Sequence, residues 1–169
     1  MLWPKGAGLA VEAVRLARAR GVKVTLDLYG APDTSNPDAI PERQLQSWSH
    51  ADGVSWRGAV ADIPKVWAEA HAAILPTYYR EGIPRSALEA LAMGRAIVTT
   101  DWIGCRETIR REGEPNGMLV PVRDAEAVAA AVRRIVETPG LAERMGAASR
   151  AYAEQRFEVS QVNRAILDA

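Results

Sequence analysis

A chain of 169 residues with 48% apolar and 25% charged side chains has the size and make-up of a single domain that buries its own core. Lysine plus arginine equals aspartate plus glutamate at 21 each, which excludes a global field for nucleic acid and makes any anion site a local one. One cysteine, Cys105, excludes an internal disulfide framework and fits a reducing cytosol; no apolar run approaches the ~20 residues of a membrane span.

The opening "MLWPKGAG" runs at once into a helical pattern, as if a strand preceded it. Residues 8–20 place Leu9, Ala13, Leu16 and Ala17 on one face, an amphipathic helix that Gly21 ends. "VKVTLDLYG" follows as a strand, Val22, Val24, Leu26 and Leu28 alternating with Lys23, Thr25 and Asp27 as far as Gly30. "APDTSNPDAIP" is a polar loop of eleven residues with three prolines, long enough to be functional. Residues 42–50 read as a short helix, "GVSWRG" as a short strand, and "DIPKVWAEA" as a helix with Asp62 at its N-cap.

Next come a buried-looking strand, "HAAILP", and a helix, "SALEALAM", closed by Gly94. "AIVTTD" is a strand dense in β-branched residues, and "MLVPV" is a last short strand after the loop "WIGCRETIRREGEPNG". Residues 124–137 form a helix with Val128, Ala131, Val132, Ile135 and Val136 on one stripe, and after Pro139 "GLAERMGAASRAYAEQRF" forms another. Strands alternating with helices predict an α/β domain over 1–169: a Rossmann-like parallel sheet with helices on both faces. Ligands in such sheets bind outside the carboxyl ends of the strands. Those ends are Gly30 with its loop, Trp56–Val60, Pro76–Pro84 and Thr100–Gly104.

Two carboxylates mark the third of these edges, Glu81 in a loop and Glu89 eight positions on in a helix. Ser86-Ala-Leu-Glu89 matches the S-x-x-E capping box, in which the pair serves only the helix. The helix start also exposes free backbone N–H groups, an anion site in its own right. Carboxylates beside such a site repel a bare phosphate. They suit a ligand that donates hydroxyls and accepts at phosphates, as a nucleotide-sugar does.

Glu81-x7-Glu89 within "EGIPRSALEALAMGRAIVTTDWIGCRE" resembles the E-x7-E region of retaining GT-B glycosyltransferases of family 4. "KG" near the start, "GVSWRGAVADIP", "NGMLVPVRDAEAVAAAV" and "MGAASRAYAEQRF" follow in the order of that family's C-terminal donor-binding domain. Within the family the chain is similar to bacterial enzymes that build surface polysaccharides or lipid-linked oligosaccharides from UDP-sugars. The resemblance implies that Glu81 binds hydroxyls of the donor sugar, with the backbone of Gly82 and Ile83 along it. It implies that Ser86, Ala87 and Leu88 offer N–H groups to the diphosphate and packing to the ribose, and that Glu89 accepts from the ribose hydroxyls. Lys5 matches the lysine that neutralises the diphosphate, Val60 the region that reads the base, and Gly30 an open strand mouth. No D-x-D pair or His/Cys cluster suggests a divalent ion, so the expected transfer needs no metal and no cofactor.

The family's lysine pairs with an arginine five positions upstream, at the end of the domain's first strand, and that position falls before Met1. The expectation is therefore a domain without its first strand and without the N-terminal domain through which such enzymes hold a saccharide or lipid-linked acceptor. It would bind donor weakly, transfer nothing alone, and self-associate through a raw sheet edge. The expected setting is the cytoplasm, or the inner face of the membrane in a full-length enzyme. A different class, a non-catalytic nucleotide-sugar-binding module, stays open. A dinucleotide enzyme is disfavoured, because "GAGLAV" has Val11 at its third glycine position.

Other residues read more simply. Arg85 is within reach of a phosphate or exposed at a helix start; His50, His71 and Cys105 have no partner that makes them catalytic. Arg106, Arg110, Arg111, Arg133 and Arg134 form a solvated surface balanced by Glu107, Glu112 and Glu114.

Overall fold

Successive side chains of a strand leave on opposite faces, and this alternation sets the layers. In strand Ala96–Thr100 all five residues are buried. Ala96 and Val98 join one apolar cluster and Ile97 joins another. In strand Ala72–Leu75, Ala72 and Ile74 take the first side and Ala73 the second. Helices therefore cover both faces, as the sequence predicts.

The computed structural model describes residues 1–158. In chain order the elements are α1 (Ala7–Ala19), β1 (Leu26–Tyr29), α2 (Glu42–Ser49), β2 (Val54–Gly58), α3 (Ile63–Glu69) and β3 (Ala72–Leu75). They continue with α4 (Arg85–Ala92), β4 (Ala96–Thr100), β5 (Gly117–Val120), α5 (Ala125–Glu137) and α6 (Leu141–Arg156). Short 3-10 turns stand at Trp3–Lys5 and Cys105–Thr108. All strand pairs are parallel. Helices α1 and α5 pack on the first face of β3–β5 through Ala13, Ala17, Val128, Val132 and Ile135. The other face carries α4 and α6 through Ala87, Leu91 and Tyr152.

The expected single sheet is divided. β1 pairs with β2 and β3–β4–β5 form a second ladder, with no hydrogen-bonded pairing between β1 and β3. The two halves meet under α1, where Val24 and Ile74 each join both of the clusters that α1 supports. The unpaired edges expected at the rim of the sheet thus include two in its interior.

Three local expectations are also corrected. The strand over 22–30 shortens to Leu26–Tyr29, because its partner β2 begins opposite Leu26 at Val54. Upstream, the Val22 N–H donates to Ala17 O (3.1 Å) and Arg18 Nη1 donates to Val24 O (2.7 Å), which takes those residues out of a ladder. On α5, Val136 stands 44% exposed, since at 100° per residue it falls at the margin of the stripe centred on Val128, Val132 and Ile135. The Ser86–Glu89 capping box does not form, for the reason given below. By contrast Asp62 caps α3 as expected, its Oδ1 accepting from Lys65 N at 3.1 Å.

Arg20 at the end of α1 grips Glu126 of α5 through two bonds of 2.6 and 2.7 Å. Those hydrogen bonds hold the Glu126 carboxyl below the usual carboxylate range and raise the guanidinium. Both groups are exposed, so the pair orders the surface more than it stabilises the fold.

Candidate functional site

The site is assembled at the carboxyl ends of the strands by a strap at the start of the chain. Trp3 N–H donates to Asp38 O (2.9 Å) and Ile40 N–H to Met1 O (3.1 Å), which ties the strap to the loop after β1. On its other side Tyr78 N–H and Thr77 Oγ1 both donate to Pro4 O, at 2.9 and 3.1 Å. Thr77 is buried and also accepts from Tyr79 N–H at 3.2 Å, while its own carbonyl accepts from Thr100 Oγ1. One side chain thus holds both the Pro4 turn and the loop that leads to Glu81.

Gly6 lets the strap turn into α1. Its φ of 83° is left-handed, and a Cβ there would overlap the Pro76 carbonyl at the end of β3. Lys5 is thereby set against the β3 end. Its Nζ lies 2.5 Å from Glu81 Oε1 and 5.0 Å from the centre of the Tyr79 ring. The resemblance assigns Lys5 to the diphosphate and Glu81 to the sugar of one donor; the fold brings the two side chains, 76 positions apart, into direct contact.

Gly104, in the loop after β4, supports Glu81 from behind. Its φ is 76°, and a Cβ at this position would collide with the Gly82 carbonyl and press on that of Glu81. Buried Asn116 fixes the same loop: its Oδ1 accepts from Arg110 N (2.7 Å) and its Nδ2 donates to Thr108 O (2.8 Å). Sequence reasoning passed over Thr77, Tyr79 and Gly104. All three fall within the strand ends marked in the sequence, Pro76–Pro84 and Thr100–Gly104, but nothing local in the sequence gives their contacts.

Helix α4 starts two residues before the capping box requires. Pro84 is the N-cap, with φ −60°, and its carbonyl accepts from Ala87 N–H (3.0 Å) and Leu88 N–H (3.2 Å). Ser86 is therefore already inside the helix and its side chain caps nothing. Among the described residues the N–H groups without an acceptor at this end are those of Arg85 and Ser86. The donors available to an anion thus begin one residue earlier than expected, since those of Ala87 and Leu88 are taken.

Glu89 sits one turn into α4, where Arg85 Nε reaches its Oε1 at 3.0 Å. Each acid of the motif consequently has a cation on it: Lys5 on Glu81 and Arg85 on Glu89. Ala87 is buried and Leu88 half-buried in the cluster with Leu91 and Trp67, so their side chains anchor the helix. Gly82 is exposed and Ile83 half-buried between Glu81 and the helix.

Across the strand ends, Val60 stands exposed just after β2. Gly30, at the end of β1, donates its N–H to Gly58 O (2.7 Å) and its carbonyl accepts from Trp56 Nε1 (2.8 Å). The Met1 side chain lies where a Gly30 Cβ would stand. Among the described residues, no three His, Cys, Asp or Glu side chains are placed to hold a metal ion, and no helix is long and apolar enough to cross a membrane. A separate groove of about 530 Å³ on α1, lined by Gly8, Glu12, Arg15 and Trp48 among others, shares none of the residues above.

A family model for glycosyl transferases group 1 matches residues 1–138. The amylovoran biosynthesis glycosyltransferase AmsK of Erwinia amylovora is 29% identical over 160 residues, which cover 90% of this chain and 38% of that protein. The N,N'-diacetylbacillosaminyl-diphospho-undecaprenol alpha-1,3-N-acetylgalactosaminyltransferase of Campylobacter jejuni is 35% identical over 108 residues, 64% of this chain and 26% of its own. Among solved structures, Anabaena HepE in complex with UDP-glucose superposes with a TM-score of 0.82 at 24% identity, over 99% of this chain and 45% of that one. Sucrose-phosphate synthase from Thermosynechococcus elongatus gives 0.74 at 26% identity, over 94% and 42%. The chain spans less than half the length of each of these proteins. With the GT-B half-fold in place and the family match running over most of its length, the chain belongs to the glycosyl transferases group 1 family.

Proposed function

We propose that this chain is the donor-binding part of a retaining, family 4 hexosyltransferase that takes a UDP-sugar and serves a polysaccharide or lipid-linked acceptor. The observation that carries the reading is the Lys5–Glu81 contact beside the free N–H groups of Arg85 and Ser86. A diphosphate entering that space draws the Lys5 ammonium to itself. Glu81 is then free to accept from a hydroxyl of the sugar. Arg85 turns from Glu89 to the phosphates in the same way, and Glu89 accepts from the ribose. Val60 and the end of β2 receive the base, with Gly30 and the Met1 side chain packed on it beside that approach.

The chemistry asked of these groups is electrostatic. As the glycosyl–oxygen bond to the diphosphate breaks, charge grows on the departing phosphate, where a cation and a helix N-terminus are already aimed. The acceptor hydroxyl forms the new bond to the sugar and its proton passes to a phosphate oxygen. A metal has no assigned part in this scheme. The residues above account for the donor and not for the reacting hydroxyl of an acceptor, so the isolated domain is expected to bind donor without turning it over. The transfer takes place on the cytoplasmic side, where the buried thiol of Cys105 stays reduced.

Titration calorimetry with UDP and UDP-glucose in the presence of EDTA tests this. Saturable binding with no response to NAD is expected. Binding of NAD alone would replace the reading with a dinucleotide site, and donor binding only after added Mg²⁺ would remove its metal-free part. Self-association is a second expectation, because the outer strands β2 and β5 each leave one edge unpaired. Sedimentation equilibrium is expected to show a concentration-dependent dimer; a monomer throughout the micromolar range would count against it.

A further inference from the structure

Arg123 is the one non-glycine residue with positive φ among the described residues, at 59°. Left-handed backbone costs an arginine energy that a glycine or asparagine in the same turn largely avoids. Its guanidinium lies 4.6 Å from the centre of the Tyr78 ring, and no carboxylate pairs with it among the described residues. Tyr78 is also the residue whose N–H grips the Lys5 strap at Pro4 O. In the loop after β4, the buried Nε1–H of Trp102 has no acceptor among the described residues.

Position along the sheet separates Arg123 from the base of the donor. The ladder runs β3–β4–β5, and β1–β2 packs on the β3 side through Val24 and Ile74. In the proposed function the base lies at the end of β2 and the diphosphate at α4, which follows β3. Arg123 follows β5, on the flank away from the base. A guanidinium that rests over an aromatic ring and meets no carboxylate has N–H groups to offer an oxyanion in a two-pronged grip.

Resting on the proposed function, we infer that Arg123, held on Tyr78, binds an oxyanion carried by the acceptor, at a subsite distinct from that of the donor diphosphate. Arg123 touches no reacting atom in this scheme. It orients the acceptor by a charge remote from the transferred sugar. The anion is a diphosphate on a lipid-linked acceptor or a carboxylate on an acidic saccharide, and the same grip serves either.

The test uses the whole chain, labelled with nitrogen-15 and saturated with UDP, and follows the Arg123 Nε–Hε and Tyr78 amide signals. The first is assigned by its loss in Arg123→Asn. Inorganic pyrophosphate and glucuronate are titrated separately at fixed ionic strength. A saturable shift with pyrophosphate identifies a diphosphate-bearing acceptor, and one with glucuronate an acidic saccharide. In either case Arg123→Asn is expected to weaken the Tyr78 response about tenfold or more, with the UDP affinity unchanged. The same variant should melt at the wild-type temperature or about 2 °C above it, since asparagine tolerates the left-handed turn.

No shift with either anion while UDP is bound would overturn the inference, as would full affinity in Arg123→Asn. A clear loss of melting temperature with anion binding intact would reduce Arg123 to a structural stack and overturn it too. Failure of UDP itself to bind would instead strike the proposed function, so the two failures are told apart.

Discussion

Lys5→Ala is expected to weaken UDP binding by about 10- to 100-fold, the loss of one charge-assisted contact to a phosphate. The side chain is largely exposed, so the melting temperature should hardly move. Lys5→Arg is the informative companion, since it keeps the charge but replaces a compact ammonium with a fork that needs more room. It should recover only part of the affinity. A further outcome follows from the resting contact with Glu81. Glu81→Gln removes the competitor for Lys5 and should leave UDP binding equal or stronger, while it weakens any advantage of UDP-glucose over UDP. Isothermal titration of the four proteins with both ligands measures all of this, and equal affinity of wild type and Lys5→Ala for UDP would detach the lysine from the site.

The second large effect is on stability. Asn116→Ala should cost about 3 kcal/mol, a fall in melting temperature of roughly 6–12 °C for a chain of this size. Asn116 has no exposed surface, and its amide serves both the Arg110 N–H and the Thr108 carbonyl. Alanine leaves those backbone groups without partners, and Thr108 is itself fully buried. The loop they fix carries Gly104, which backs the Glu81 loop. Donor-sugar affinity should therefore fall together with stability, although Asn116 is not assigned a contact with the donor. Differential scanning calorimetry checks the first part; a change in melting temperature below about 2 °C would mean that the loop does not depend on this amide.

Sequence alone exposed different parts of this molecule unequally, for physical reasons. Helices α1 and α5 could be read because each buries one apolar stripe, a property of spacing. Asp62 could be read as a cap because capping is local, and its bond to Lys65 N is present. Val22 and Val24 alternate as well as Leu26 and Leu28 do, yet only the latter pair in a ladder, because a strand needs a partner that local pattern does not supply. Ser86 and Glu89 have capping-box spacing, but Pro84 starts the helix first and shifts the serine inside. That Lys5 and Glu81 serve one site was accessible only through the family resemblance, and their direct contact was not foreseen at all. The Thr77 and Gly104 contacts that position it depend on the ends of β3 and β4 lying side by side, which no motif encodes.

The central claim is that a diphosphate docks between Lys5 and the unpaired N–H groups that open α4. The most direct measurement is an amide nuclear magnetic resonance map of the chain titrated with UDP. The account predicts that the Arg85 and Ser86 amides shift furthest, together with those of Gly82 and Ile83, and that these shifts shrink in Lys5→Ala. Shifts confined to the groove around Gly8 and Trp48, with the Arg85 and Ser86 amides unmoved, would contradict it.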